Sequence, residues 1–233
     1  MGINSADPFT PDAGEIDPRL DWTVGRRGIP YLDWGLDLGK SWTRKQVYGG
    51  PYSPIKNVYY KSQSGTYTDK SSWTEGWTAN NTNLIRFSDV ILMLAECEVE
   101  IGTLAQAESY VNEVRNRMLN TAGWVQTSPG VPAANYVIST YGAGFPFDNP
   151  ANARMAVHFE RKLEFGMEGH RFFDLVRWGE AVSTLNDYLA YESVILPQLA
   201  GAVFVAGEDE YYPLPQRQID LSGSDILVQT PGH

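Results

Sequence analysis

One cysteine and three histidines in 233 residues leave few ways to build reactive or metal-binding chemistry. Cys97 has no partner for an internal disulfide and falls inside the helical run Ile85 to Ile101, so its reading is a buried, inert thiol. His158, His170 and His233 show no H-x-x-x-H or similar ligand spacing. The segment DKSSWTEG, Asp69 to Gly76, is too sparse in carboxylates for a calcium loop. Also missing are a G-x-S-x-G elbow, a Cys/His constellation, and the phosphate-binding glycine patterns G-x-x-x-x-G-K-[S/T] and G-x-G-x-x-G. No catalytic residue, metal or cofactor is expected.

Long apolar runs are absent too. The longest, Val90 to Ala95, falls far short of the roughly 18 residues of a membrane span. Positive charge is in deficit: the formal net charge is −10, with a pI near 4.7. A surface that acidic repels phosphate backbones and excludes nucleic acid as an expected partner. The first twenty residues, MGINSADPFTPDAGEIDPRL, contain no basic stretch followed by an apolar one and no cysteine for lipidation. With 42% hydrophobic and 20% charged residues, the composition is that of a globular body with a substantial core.

Aromatic residues are plentiful, and they are unevenly placed. Residues 1–82 are poor in helix signals and hold Trp22, Trp34, Trp42, Trp73 and Trp77, five of the seven tryptophans, interleaved with Tyr48, Tyr52, Tyr59, Tyr60 and Tyr67. Weak apolar periodicity there reads as long loops with short strands at Asn57 to Lys61 and Thr66 to Thr68. Indole and phenol rings on loops offer a flat surface to the C–H face of a sugar, with Asn, Lys and Asp beside them to bond hydroxyls; core packing is their other use. Trp73 and Trp77 stand out because Ser, Thr, Asn and Glu surround them.

A helical hairpin follows. Val90 to Ala95 is apolar on every side and is expected to be covered by more than one neighbour. Gly102 ends this helix, and Leu104, Ala107, Tyr110, Val111, Val114 and Met118 give the second a one-sided stripe. Small residues near the turn suggest a tetratricopeptide-like unit, of which about three are needed to bury their faces by stacking. Only one pair is evident, which points to missing N-terminal helices or an exposed apolar face. Residues 119–152 form a long insertion punctuated by Gly and Pro, of the kind that is functional or mobile.

Next comes HFERKLEFGMEGHRFFDLVRW, His158 to Trp178. Met155, Phe159, Leu163 and Met167 recur every four residues as an apolar stripe. Glu160, Glu164 and Glu168 sit one residue further on, about 100° around the helix, at its margin. A glycosidase needs two carboxyls on opposed walls, about 5–9 Å apart, whereas acids at i, i+4 and i+8 share one wall. Ion pairing is their expected role. After a break at Gly169, Arg171 and Arg177 lie within helical reach of Asp174, and the apolar pattern continues to about Leu189. From Val194 onward prolines 197, 213 and 215 argue against regular helix.

That run resembles the signature of the SusD/RagB family, E-R-[K/R]-x-E-[F/L]-x-x-E-G-x-R-x-x-D-L-x-R-W-G. Two further stretches support the resemblance. NLIRFSDVILMLAECEVEIG, Asn83 to Gly102, is similar to the family's R-[Y/F]-[A/S]-D-[V/I]-[L/I]-L-M-x-A-E helix, and the end from Tyr211 is similar to its closing Y-P-[I/L]-P…Q-N-P-G-Y. DPRL at Asp17 to Leu20 suggests an earlier start. The resemblance implies a mainly α fold, with residues 83–233 as its C-terminal helical region and residues 1–82 as an aromatic-rich loop region of the same domain. It implies architectural roles for Arg86, Asp89, Glu96, Glu160, Arg161, Glu168, Gly169, Arg171, Asp174, Arg177 and Trp178.

It further implies a non-enzymatic, surface-exposed outer-membrane lipoprotein of Bacteroidota-like bacteria. Such a protein captures an oligosaccharide or polysaccharide and delivers it to a SusC-like TonB-dependent transporter. Family members are longer and this chain matches their C-terminal half, so a fragment is expected, without the N-terminal lipid anchor that would hold it to the membrane. Trp73, Trp77, Tyr67 and Trp42 are the expected stacking residues, and Asn80, Asn81 and Lys70 the hydrogen-bonding ones. A peptide-binding member of the family and a tetratricopeptide-like adaptor are the alternatives.

Overall fold

The computed structural model describes residues 4–69, 71, 77–142, 144–223 and 225–233. The chain forms two compact units, residues 1–169 and 170–233. The first begins with loops that carry short elements: helix α1 (Leu20–Thr23), strand β1 (Val24–Gly25), helix α2 (Gln46–Gly49) and strand β2 (Ser53–Pro54), with β1 and β2 antiparallel. The expected strand at Asn57 to Lys61 does not form. Asn57 has φ of 66°, and Lys61 opens a 3₁₀ turn to Gln63.

Helices α3 (Phe87–Ile101) and α4 (Leu104–Asn116) make the hairpin. Gly102 stops the first, and Thr103 starts the second by accepting the Gln106 amide at 3.2 Å, satisfying one orphan N–H of the first turn. The α4 stripe faces the core: Ala107, Val111, Val114 and Met118 are buried. Helix α5 (Pro150–Glu164) completes a three-helix core in which Leu92, Ala95, Val111, Ala153 and Val157 are wholly inaccessible. Each large aliphatic side chain so buried contributes about 1.5–3 kcal/mol.

The start of α5 lies inside what the sequence reads as insertion. Asn149 caps it through the Asn152 amide at 3.0 Å, and Pro150 fits the first turn, where its missing N–H costs nothing. The rest of the insertion holds the antiparallel pair β3 (Gln126–Ser128) and β4 (Val131–Pro132). Its ends are tied down. Asn112 exchanges two hydrogen bonds with the Tyr141 backbone, and Tyr136 donates to Asp21 at 2.7 Å while Ile16 pairs alongside it.

Two expectations for the helices change. Ile91, Leu92 and Ala95 are buried, but Val90, Met93 and Leu94 are each more than 40% exposed, because α4 and α5 both pack on one side of α3. Cys97 is exposed on that open side, between Leu94 and Ile101, and is not the buried thiol expected. In α5 the apolar stripe points the other way: Met155 and Phe159 are 61% and 51% exposed. Met167 lies past the helix end with φ of 65°. The inward face is Ala153, Ala156, Val157, Glu160, Arg161 and Glu164, small residues that admit close helix approach followed by charges that meet partners.

The second unit contains α6 (His170–Trp178), α7 (Ala181–Glu192) and α8 (Gln216–Ser222). Gly179, at φ of 72°, separates the first two, so the expected continuous helix to Leu189 is two helices. Phe172 gathers Phe173, Phe204 and Tyr212 edge-on at 5.6–6.4 Å. The Asn186 amide bonds both backbone groups of Phe204, and the Gln229 amide those of Leu214, pinning the irregular tail. α8 forms despite Pro215, which stands at its cap and not in its interior. Arg177 pairs with Asp174 at 2.9 Å, and Arg171 and Arg177 both stack on the Trp178 ring.

Candidate ligand-binding site

Buried charge builds the frame that carries the loops of the first unit. Glu160, fully buried, accepts from Arg19 at 2.5 Å and Arg115 at 2.8 Å. Glu164 accepts from Arg86 and Arg117 at 2.8 Å and from Arg19 at 3.4 Å. Glu168 is held by Lys56 at 2.5 Å and Arg86 at 2.8 Å. A second pairing joins Arg161 to Asp89 at 2.7 Å and Glu96 at 3.4 Å, and the Phe165 ring lies between the Arg86 and Arg161 guanidiniums at 5.1 and 5.0 Å. Burial alone would raise the pKa of Glu164, but Arg117 and Arg86 outweigh it and hold the group below the ordinary carboxylate range. Glu168 is likewise pushed up by burial and brought below its usual value by Arg86 and Lys56.

The frame anchors the aromatic loops at two points. Arg19, from the Asp17–Leu20 segment, fixes the chain start to α5, and Lys56 donates to the Glu164 carbonyl at 2.9 Å as well as to the Glu168 carboxylate. Beyond these anchors the loops are joined by hydrogen bonds. The Asp33 carboxylate accepts the amides of Lys61 and Ser62 at 2.5 and 2.9 Å, and the Trp34 indole donates to the Tyr59 carbonyl at 3.0 Å. Gln63 Oε1 accepts the Tyr60 amide at 2.8 Å and the Asn80 side chain at 3.4 Å.

Next to that turn the chain doubles back as a hairpin paired at Thr68 and Thr78. The Asp69 amide donates to the Trp77 carbonyl at 2.8 Å and the Ala79 amide to the Tyr67 carbonyl at 2.9 Å. This register places Tyr67, Asp69, Trp77 and Ala79 on one face, because side chains alternate along a strand. Tyr67 and Trp77 are then diagonal neighbours, within reach of one another for aromatic side chains. They are 57% and 66% exposed. Thr68 and Thr78 occupy the other face.

Of the residues singled out from the sequence, the structure therefore brings together Tyr67 and Trp77, with Asn80 held close through Gln63 and Asn81 exposed after it. Trp42 lies in the 3₁₀ turn Gly39–Trp42, edge-on to Tyr31 at 5.6 Å. Trp73 and Lys70 lie outside the described residues. Trp22 and Trp34 are structural: their indoles donate to the carbonyls of Gly123 and Tyr59. Sequence reasoning did not single out Asp33 and Gln63, which fix the platform, or Arg19, Lys56, Arg115 and Arg117, which complete the frame. The available signal was three acids on one helix face, a set that demands cations from elsewhere. Among the described residues no group of three or more His, Cys, Asp or Glu side chains is placed to hold a metal, and no helix is long and apolar enough to cross a membrane.

The profile of the SusD family matches residues 2–233. A SusD-like protein of Formosa agariphila is 35% identical over 109 residues, 47% of this chain and 17% of that protein. A crystal structure of a SusD superfamily protein from Bacteroides vulgatus ATCC 8482 aligns over 88% of this chain and 37% of the other, with a TM-score of 0.54 and 22% identity, a likeness of fold. The chain thus spans well under half the length of either relative.

Proposed function

We propose, from the premise that this chain belongs to the SusD family, that it is a nutrient-binding protein that captures a glycan without transforming it. The family is in general one of binding proteins associated with the outer membrane. In this reading the chain belongs to a surface-exposed lipoprotein and hands its ligand to a SusC-like TonB-dependent transporter. Tyr67 and Trp77 carry the reading: two rings, more than half exposed, share one face of a hairpin whose base is fixed by Gln63 and Asp33. A sugar ring stacks on such a face, and Asn80 and Asn81 stand next to it for hydroxyls. Trp73 and Lys70, between the two strands in sequence, are proposed as ligand-binding from the sequence alone, since they lie outside the described residues. The pairing of Glu160, Glu164 and Glu168 with five cations supports the non-enzymatic reading, since Glu164 and Glu168, held below the ordinary carboxylate range, make poor proton donors.

Affinity electrophoresis against a panel of neutral and acidic polysaccharides tests this. Retardation by at least one polymer, weakened by Trp77→Ala and Tyr67→Ala, is expected. Indifference to every glycan together with capture of members of a peptide library would replace the glycan with a peptide. Release of reducing sugar that stops on Glu160→Gln would replace binding with hydrolysis.

A further inference from the structure

A cavity of about 380 Å³ opens on a different part of the first unit. It lies between residues 9–12, 26–29, 39–46 and 51–52, and its volume is near the lower end of small-molecule sites, about 300–1,000 Å³. Phe9, Pro11, Ile29, Pro51 and Tyr52 give it apolar walls; Arg26, Arg27 and Lys40 are basic, against one acid, Asp12. Arg26 is neutralised by a two-bond contact with Asp21, at 2.7 and 2.9 Å. Lys40 is exposed and has no ion-pair partner among the described residues. In a chain of net charge −10, this is a locally cationic hollow.

Unmet hydrogen bonds point the same way. Among the described residues three buried side-chain atoms lack a partner: Arg27 Nη1, Thr43 Oγ1 and Gln46 Oε1. Arg27 and Gln46 line the cavity, and Thr43 is three residues from Gln46. Gln46 is only 8% exposed. Buried polar groups are nearly always satisfied, so two orphans on residues that line the same cavity call for an occupant. The Arg27 guanidinium is held for the task. Its stem packs on Gly39, where an added Cβ would come within 3.0–3.2 Å; its Nη2 donates to the carbonyls of Ser5 and Asp7 at 3.0 and 2.7 Å; its face lies on the Phe9 ring at 4.7 Å. Nη1 is the donor left over.

We propose that this cavity is a second ligand site, for an acidic saccharide residue: a pyranose bearing a carboxylate or a sulfate. The acid engages Arg27 and Lys40. The Gln46 amide, which can present either its oxygen or its nitrogen, takes a ring hydroxyl, and Tyr52, 56% exposed, covers a sugar face. A neutral sugar can offer the Arg27 donor a hydroxyl oxygen but brings no counter-charge to Arg27 and Lys40, and a bare anion would leave the apolar walls and Gln46 unmet. The choice of a sugar as scaffold rests on the proposed glycan-binding function; the preference for an acid rests on the cavity alone.

The test is an NMR titration of the full 233-residue chain with sodium glucuronate, glucose 6-sulfate, glucose and inorganic sulfate. Either acidic sugar is expected to perturb the resonances of Tyr52 and Gln46 and to bind at least tenfold more tightly than glucose and than sulfate; the tighter of the two identifies the acid. Lys40→Glu, an exposed change with no partner to lose, is expected to weaken the acidic sugar about tenfold with thermal stability unchanged; Gln46→Glu, which sets a like charge against the ligand, is expected to weaken it as well, with a lower melting temperature because the new carboxylate is buried. Trp77→Ala is expected to leave this titration untouched, which separates failure here from failure of the hairpin. Equal binding of sulfate and the acidic sugars, a preference for glucose, or full affinity in Lys40→Glu and Gln46→Glu overturns the proposal.

Discussion

The inner face of α5 and the outer face of the 67–79 hairpin reverse the usual rule of polarity. The helix buries Glu160, Arg161 and Glu164 at 0–2% exposure and turns Met155 and Phe159 to solvent, while the hairpin exposes Tyr67 and Trp77. Buried charges are costly unless paired, so each inward carboxylate is met by at least two cationic donors from other segments. The hairpin rings are placed by strand register, with no ring or hydrogen-bond partner of their side chains among the described residues to hold them. One region is over-determined and should answer for stability; the other is left free and should answer for affinity. Mutations that mix the two roles would break the comparison.

The largest effect is expected at Arg161, the largest side chain that is fully buried. Arg161→Met removes the partner of Asp89, itself 2% exposed, and leaves an uncompensated buried carboxylate. Urea denaturation should show a loss of about 3–5 kcal/mol. Adding Asp89→Asn should return part of that loss, because the penalty belongs mostly to the orphaned charge. A loss below about 1 kcal/mol would mean that the frame is not held by its ion pairs.

Acid should dismantle the same region next. Glu164 and Glu168 have folded pKa values below the ordinary carboxylate value. Their stabilising contribution is therefore fully present above the unfolded pKa, about 4.3, and is lost as pH falls through the lower folded values. Thermal melts should hold level down to about pH 5 and drop progressively below it. In Glu164→Gln the whole curve should start lower and the acid limb should be shallower.

Apolar periodicity located α4 well, because its buried face is the apolar one; α3, apolar all round, was legible as a helix but not in which face it buries, and the ends of the two carry local signals at Gly102 and Thr103. It failed on α5. Counting apolar residues selects Met155, Phe159, Leu163 and Met167, but the face that packs is set by small alanines and by charges whose partners come from far along the chain. Arg19 lies 141 residues from Glu160 and Arg86 lies 78 from Glu164. No window of sequence contains both ends of such a pair. The family motif named most of the acidic half of the frame through its pattern, while Arg19, Lys56, Arg115 and Arg117 became visible only in three dimensions. For the site the opposite holds. The sequence singled out Trp77 by its polar surroundings and Tyr67 by composition and position as candidates, but their shared face depends on the Thr68–Thr78 pairing, a register that composition does not encode.

Ring removal sharpens the contrast in the other direction. Trp77→Ala and Tyr67→Ala should each change the urea midpoint by no more than about 0.5 kcal/mol, as exposed surface substitutions do. Each should nevertheless weaken the glycan about tenfold, or 1.4 kcal/mol, by calorimetry. Stability losses comparable to that at Arg161 would show that the hairpin rings are part of the core packing after all.

The smallest effect isolates burial as the cause. Arg154 and Glu100 join α5 to α3 with two hydrogen bonds, at 2.7 and 2.8 Å, as short as the bond between Arg161 and Asp89. Their side chains are 42% and 51% exposed, against 1% and 3% for the inner pair. Water and ions screen the outer pair, so a double-mutant cycle with Arg154→Ala and Glu100→Ala should give a coupling of about 0.5 kcal/mol or less. That coupling should vanish in 1 M salt, where the screening length is about 3 Å. The same cycle at Arg161 and Asp89 should give several times more and barely respond to salt. If the two couplings match, bond geometry sets their strength and the reversed polarity of α5 loses its explanation.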